Sequence, residues 1–435
     1  MKYRYSIYTW RVVINFQAYL YNAATDCLLG LSDEIDELLL QHKEDLDAVE
    51  ALHNELFLSL KEGRFIVTSE TKEWDDVIAS WKAEDESPLK YTMIINPTLN
   101  CNMRCWYCYE QHNKTTYIKE ETIKAVQALI NSKVAGTELQ GLNIDFFGGE
   151  PLMNFKNGVK PILDYAYDCC SVNKKHLYVS FTTNGYLLTE DVRTDLLKYA
   201  KWGKIRLQIT LDGNQTVHNQ IRALGGTAPT YDTIVANICN SVKEGMQVLV
   251  RLNYTNKNIN SFYDIIDDFK NLDDVAKKNL SFSLQKVWQE NNSTQLQEDV
   301  HALIQALKEE GLHVEDGCAL SPHRCYGDKE NTCVINYNGD VFKCTAREFY
   351  TADRDGFLQP NGEIKWNQRH SHRQAINYCS ELCHHCKIFP LCHAGCSQNK
   401  LESSNEGCLK GYSEVMKQTL IEERVTFLIN KAYHE

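Results

Sequence analysis

Between Tyr91 and Val287, short apolar runs alternate with stretches whose apolar positions recur every three or four residues. The runs Tyr91–Pro97, Asn143–Phe147, Leu177–Thr183, Ile205–Leu211, Val248–Tyr254 and Leu280–Val287 have strand length. The segments Glu120–Lys133, Val159–Val172, Glu190–Ala200, Thr230–Glu244, Ile259–Asn271 and Gln295–Glu310 carry helical periodicity; in the first, Ile123, Val126, Leu129 and Ile130 share a face. Six strand–helix units in series predict the α/β class, with a parallel sheet and right-handed crossovers. Such a sheet is either doubly wound or a partial barrel, and in both cases functional groups belong at the C-terminal strand ends.

The flanking regions read differently. Tyr3–Phe16 and Ala18–Tyr21 alternate as short strands; Ile35, Leu38 and Leu39 share a helical face after a cap at Ser32. Ala48–Lys61 reads as one helix stopped by Gly63, followed by a strand at Arg64–Thr68. Thr71–Pro88 is acidic, ends in Ser87-Pro88 and reads as a linker. After about Cys318 the chain becomes rich in cysteine and turns, with Asn338-Gly339 marking a hairpin between Val334–Tyr337 and Val341–Lys343. Ser413–Ala432 reads as a helix that would pack back on the barrel. Three domains are expected, over residues 1–88, 89–312 and 313–435.

The chain has 435 residues, 43% of them hydrophobic and 24% charged, with a formal net charge of -12 and no Lys/Arg tract. This balance argues against a nucleic-acid partner, because phosphate binding needs a basic surface. The start MKYRYSIYTW has no apolar signal-peptide core, and no run reaches the roughly 18 apolar residues of a membrane span. A cytoplasmic enzyme or binding protein without a membrane partner is expected.

Seventeen cysteines are many for such a chain, and in a reducing compartment they point to metal or cluster ligands before disulfides. Three form C-x3-C-x2-C at Cys101, Cys105 and Cys108, just after the first predicted strand; ten lie between residues 318 and 408. Three thiolates suit a 4Fe–4S cluster with one open iron, or a zinc site that borrows a remote ligand. Gly148-Gly149-Glu150-Pro151, Thr183-Asn184-Gly185 and Thr210-Leu211-Asp212-Gly213 follow the next three strands, so four unusual turns converge on one rim.

These segments carry a resemblance. Cys101, Cys105, Tyr107 and Cys108 resemble the cysteine signature of the radical S-adenosylmethionine (SAM) superfamily, and Phe146–Pro151 resembles its GGEP motif. Ile209–Gly213, with His218 and Arg222, resembles its S-L-D-G…H…R stretch, with Thr210 in place of Ser. The resemblance implies a partial (β/α)6 TIM-like barrel. SAM would chelate the open iron, with Tyr107, Gly148, Gly149, Glu150, Thr210 and Arg222 around it. Glycine permits the close backbone approach, Thr210 keeps the hydroxyl, and Arg222 would meet the SAM carboxylate or else form a surface ion pair. Reductive cleavage would give methionine and a 5′-deoxyadenosyl radical that takes a hydrogen from substrate, with a flavodoxin- or ferredoxin-type electron donor.

The later cysteines are spaced Cys325-x7-Cys333-x10-Cys344, then Cys383-x2-Cys386-x5-Cys392-x3-Cys396, then Cys408. Read alone, Cys383 and Cys386 with His384, His385 and His393 would also suit a zinc ribbon. The whole pattern is similar to the SPASM extension of peptide-modifying radical SAM enzymes, which implies two auxiliary 4Fe–4S clusters. One would use Cys325, Cys333, Cys344 and Cys396; the other would use Cys383, Cys386, Cys392 and Cys408. Cys318 and Cys379 are left over, and Cys318 could replace Cys325.

The resemblance is to maturases of ribosomally made peptides, and it implies a precursor peptide whose leader docks on a small winged-helix-like α+β domain at residues 1–88. An intramolecular carbon–carbon or thioether cross-link is the expected product. Epimerisation, sulfatase-type oxidation of Ser or Cys, and a non-catalytic zinc-stabilised binding protein are the alternatives. Sulfatase-type members carry Asp after the cysteine that corresponds to Cys344, where this chain has Thr345. No catalytic base is identified.

Overall fold

The six apolar runs become six parallel strands, Lys90–Ile95, Gly141–Phe146, His176–Thr183, Gly203–Leu211, Gln247–Tyr254 and Leu280–Lys286, each hydrogen-bonded to the next. A doubly wound sheet would reverse direction from an inner strand. Here strand order follows chain order throughout, so the sheet is wound one way, as in a barrel, and the partial-barrel alternative is the correct one. Leu142, Ile144, Phe146, Leu177, Val179, Phe181, Ile205, Leu207, Ile209, Val248, Val250 and Leu252 are buried in one core with Val126, Ile130, Ile162, Ile234 and Ile238 of the intervening helices. Burying each such side chain contributes about 1.5–3 kcal/mol before entropy is counted.

This computed structural model describes residues 2–434 except 111, 292, 316, 318–319, 379–380 and 404–406. Cys318 and Cys379 therefore lie outside the described residues.

The chain forms two compact units. The larger holds residues 87–316 and 330–370. In it, strand Thr332–Ile335 pairs in parallel with Lys90–Ile95, register Ile335 to Ile95, and leads into the antiparallel strands Asp340–Phe342, Gly356–Leu358 and Ile364–Trp366. The Asn338-Gly339 turn is where the sequence places it; Gly339 takes φ +86°, a left-handed value that favours glycine.

The smaller unit holds residues 1–86, 317–329 and 371–435. Strands Thr9–Ile14, Gln17–Asn22 and Cys27–Leu31 form an antiparallel sheet, and Tyr3–Tyr5 pairs with Ile66–Thr68. Ser32 caps Asp33–Gln41 as expected. Three expectations need correction. The segment read as one helix from Ala48 to Lys61 is two helices, Leu46–Leu52 and Asn54–Glu62; His53 between them is non-helical (φ -149°) and its ring accepts from the Leu56 N–H. The acidic segment read as a linker contains the helix Glu73–Asp85, held by Trp74, Val77 and Trp81 on one face. The C-terminal helix Glu414–His434 packs against strand Thr9–Ile14: Ile421 and Val425 enter a core with Tyr8, Trp10 and Val12, and Arg424 pairs with Asp26. Among the described residues no helix is long and apolar enough to cross a membrane.

Candidate active site

The C-terminal strand ends of the barrel carry the unusual turns. The loop after the first strand holds Cys101, Cys105 and Cys108; the first two are half-buried against the barrel core and the third is exposed. A turn from the Cys105 carbonyl to the Cys108 N–H (3.1 Å) and a bond from the Met103 N–H to Cys101 Sγ (3.4 Å) shape this loop. Burial pushes the Cys101 thiol up to about 12, with nearby Glu150 adding to the shift; burial also raises Cys105 and Cys108. Iron ligation would displace those protons.

The Gly148-Gly149 turn lies directly against this loop. Gly148 has φ +102°, and a Cβ there would stand 2.4 Å from the Thr98 carbonyl oxygen; one on Gly149 would stand 2.2 Å from that of Asn100. Both glycines are thus required by backbone contact, and Gly148 by conformation as well. Glu150 is fully buried and wholly occupied. Oε1 accepts from the Leu152 N–H (3.0 Å) and the Thr183 hydroxyl (2.7 Å), and Oε2 accepts from the Asn184 N–H (2.7 Å). Burial raises its pKa, and these bonds oppose the shift. Glu150 therefore ties the second and third strand-end loops together. From the third loop, Asn184 Nδ2 donates to Asn102 Oδ1 (2.7 Å), beside Cys101.

Tyr107 reaches the fourth and fifth strands. Its hydroxyl contacts both Asp212 carboxylate oxygens at 2.8 Å and accepts from Arg222 Nη2 (2.9 Å) and Asn253 Nδ2 (3.0 Å). Arg222 Nε also binds Asp212, so the arginine forms a buried pair and not a surface one. Burial works against its charge, but Cys105, Tyr107 and Asp212 outweigh that cost and raise its pKa. Asp212 is held further by His218, whose Nδ1 takes the Asp212 N–H (3.4 Å) while Nε2 meets Thr230 Oγ1 (3.2 Å). Burial, reinforced by Arg222, lowers the His218 pKa to about 3, so the ring is neutral. Thr210 is buried on the fourth strand, in register with Arg251 of the fifth. Arg251 Nε donates to Asn253 Oδ1 (2.8 Å), extending the polar chain across the barrel mouth.

Several site residues escaped the sequence reading. Asp212 was seen only as part of a motif, yet it is the centre of the network. Asn253 has a sequence signal: it is a polar residue near the C-terminal end of the apolar strand Gln247–Tyr254. Both amide atoms of Asn96, which follows the first strand, and of Asn336, which follows Ile335, the register partner of Ile95, are buried without partners among the described residues. Glu110 is half-buried, with both carboxylate oxygens buried and unpartnered, and burial pushes it up to about 8.

These features suit the implied groups. Three thiols share one loop, a close-packed glycine turn adjoins them, and unpaired amides at the barrel mouth offer bonds to a polar ligand.

The remaining cysteines divide between the two units. Cys333 lies buried in strand Thr332–Ile335, 3.6 Å from the Tyr91 hydroxyl, and Cys344 follows strand Asp340–Phe342 half-buried. Cys325 is exposed before the turn Tyr326–Asp328, and Cys396 is half-buried at the start of Ser397–Glu402. In the smaller unit, Cys383, Cys386, Cys392 and Cys408 line one cavity of about 550 Å³ with Leu382, Ile388 and Phe389. Their charges are mutually felt: burial raises Cys392 to about 11, and Cys386, Cys383 and Cys408 add to the shift. Among the described residues no three His, Cys, Asp or Glu side chains are grouped to hold a single metal ion.

Comparison with known proteins agrees with this layout. Residues 95–269 match the radical SAM superfamily. The chain is similar to a cysteine-type anaerobic sulfatase-maturating enzyme of Clostridium novyi, 23% identical over 350 residues, which cover 71% of this chain and 88% of the relative. Among solved structures it shares its fold with Streptococcus suis SuiB bound to precursor peptide SuiA, with TM-score 0.51, 14% identity, and 93% of this chain and 98% of that one covered. It also shares its fold with native anSMEcpe with bound AdoMet and Cp18Cys peptide, with TM-score 0.57, 18% identity and coverage of 79% and 99%. The glycine turn, the three-cysteine loop and the Asp212 network thus lie within a stretch of recognised type: the chain carries a radical SAM domain over residues 95–269.

Proposed function

We propose that this protein is a cytoplasmic maturase that uses SAM to modify a ribosomally made precursor peptide. The observation that carries the proposal is the convergence of the Cys101/Cys105/Cys108 loop, the Gly148-Gly149 turn and the Tyr107–Asp212–Arg222–Asn253 network at one barrel mouth. When bound, SAM on a reduced 4Fe–4S cluster supplies a radical able to take a hydrogen from an unactivated carbon. The chain's own residues position and enclose. Cys101, Cys105 and Cys108 would hold the cluster. Gly148 and Gly149 bring backbone against the cysteine loop, Glu150 fixes the neighbouring loop, and Tyr107, Thr210 and Arg222 would flank the cofactor.

The solved neighbours bound to peptides support a peptide substrate. Cys383, Cys386, Cys392 and Cys408 would hold one auxiliary cluster, and Cys325, Cys333, Cys344 and Cys396 another. Such clusters can take up the electron left by an oxidative bond-forming step, which favours an intramolecular cross-link. Residues 1–88 would bind the leader by adding a strand to a sheet. A flavodoxin or ferredoxin would supply electrons. Sulfatase-type oxidation is the second reading, favoured by the Clostridium novyi relative. Thr345 counts against it, since it supplies no carboxylate after Cys344.

The test is anaerobic reconstitution followed by assay of iron, sulfide, zinc and 5′-deoxyadenosine release under reduction, then incubation with precursor peptides and mass spectrometry. A loss of two hydrogens with fragmentation blocked between two joined residues supports cross-linking; the same loss confined to a single Ser supports oxidation instead. Zinc with little iron overturns the radical chemistry.

A further inference from the structure

The cavity lined by Cys383, Cys386, Cys392 and Cys408 is also lined by Lys417, on the C-terminal helix. That side chain is mostly buried, at 15% exposure. Its ammonium binds Glu414 Oε1 at 2.6 Å on the solvent side, where Glu414 is 80% exposed. On the other side it faces the cavity, near enough for the charge of Cys386 to be felt. The other lining cations are placed differently: Lys400 donates to the Ile376 carbonyl (3.4 Å), and Lys410 is exposed. One carboxylate, Glu381, also lines the cavity, with Ile376, Leu382, Ile388, Phe389 and Leu409 supplying apolar walls.

We propose that Lys417 sets the reduction potential of an iron–sulfur cluster held by these four cysteines, by placing its ammonium in the wall of their cavity. The inference rests on the reading that these thiols hold a cluster, and it adds a residue that the cysteine pattern does not contain. Cluster potentials follow net charge, hydrogen bonds to sulfur and exposure to solvent. Reduction adds an electron to a centre already rich in negative charge. A cation fixed in the cavity wall stabilises the reduced state more than the oxidised one, and the apolar part of the wall limits screening by water. Lys417 thus acts on the cluster through its charge and is not a ligand. If it were only a partner for exposed Glu414, the pair would matter little.

The experiment is a redox titration of the reconstituted full-length protein, followed by electron paramagnetic resonance, for wild type, Lys417→Met and Lys417→Arg. The expected result is that one cluster signal moves to lower potential in Lys417→Met, the other signals stay in place, and Lys417→Arg restores most of the shift. An unmoved set of signals at full iron content overturns the assignment, as does an arginine variant that behaves like the methionine one, which would indicate packing instead of charge. A Cys383→Ala/Cys386→Ala variant keeps the two questions apart. If it retains all the iron of the wild type, these thiols hold no cluster and the underlying reading fails first.

Discussion

Arg222 and Asp212 form a buried ion pair at the barrel mouth, joined through Nε of the arginine. Neither charge has free access to water, and the Tyr107 hydroxyl sits against both. Removing one member leaves the other buried and uncompensated. Arg222→Met should therefore destabilise the protein by about 3–5 kcal/mol. The double variant Arg222→Met/Asp212→Asn should recover part of that loss. Denaturant unfolding of wild type and the two variants checks this; a double variant less stable than Arg222→Met refutes the pairing.

The glycine turn gives a second prediction. Gly148→Ala should lose cluster occupancy and SAM binding, because its Cβ would collide with the Thr98 carbonyl at 2.4 Å. Gly245→Ala is the control: it also has positive φ, +90°, but open space around the Cβ. It should cost about 1 kcal/mol of stability from backbone strain alone and leave iron content unchanged. Equal iron loss in both variants would mean that strain, not the collision, is responsible.

Glu150 distinguishes positioning from direct ligand contact. Its two oxygens accept three bonds from the Leu152, Thr183 and Asn184 groups. Glu150→Gln replaces one acceptor oxygen by a donor NH2 facing donors, at a cost of about 1–3 kcal/mol. We expect a lower melting temperature and slower 5′-deoxyadenosine release together. Unchanged stability with abolished SAM binding would instead place the carboxylate on the cofactor.

His218 makes stability depend on acidity. Its folded pKa is lowered to about 3 by burial and Arg222, from an ordinary value of 6.5. Above 6.5 the ring is neutral in both states and contributes no pH dependence. As pH falls from 6.5 toward 3, the unfolded chain takes up a proton that the folded chain refuses. Stability then falls by up to ~1.4 kcal/mol per pH unit from this residue. Comparing unfolding of wild type and His218→Gln between pH 7 and 4 should show a shallower acid loss in the variant.

For metal content, the triple variant Cys101→Ala/Cys105→Ala/Cys108→Ala should fall from about twelve irons to about eight if three four-iron clusters are present. Iron analysis on anaerobically purified protein decides it.

The barrel was legible because its strands are short runs with buried apolar residues at every second position, as in Leu177, Val179 and Phe181 or Ile205, Leu207 and Ile209. The strand-end turns stood out for the same reason: Gly148, Asn184 and Asp212 interrupt those runs. What was missed is instructive. Acidic residues in Glu73–Asp85 hid the spacing of Trp74, Val77 and Trp81, which is helical and faces a core. The break at His53 carries no Gly or Pro and shows only as a ring nitrogen capping the next helix. Arg222 was read as a cofactor ligand or a surface charge because nothing local in the sequence says that Asp212 and Tyr107, 10 and 115 positions away, would enclose it.

The parallel pairing of Thr332–Ile335 with Lys90–Ile95 has a bearing on how the chain can be dissected. Residues beyond the sixth barrel strand provide the neighbour that covers the main-chain groups of the first. A fragment ending near residue 312 would leave Tyr91–Ile95 as a bare sheet edge, flanked by fully buried apolar side chains. Bare edges of that kind recruit other chains. The isolated barrel should therefore self-associate, and the cysteine-rich extension serves as a molecular selvedge as well as a holder of thiols.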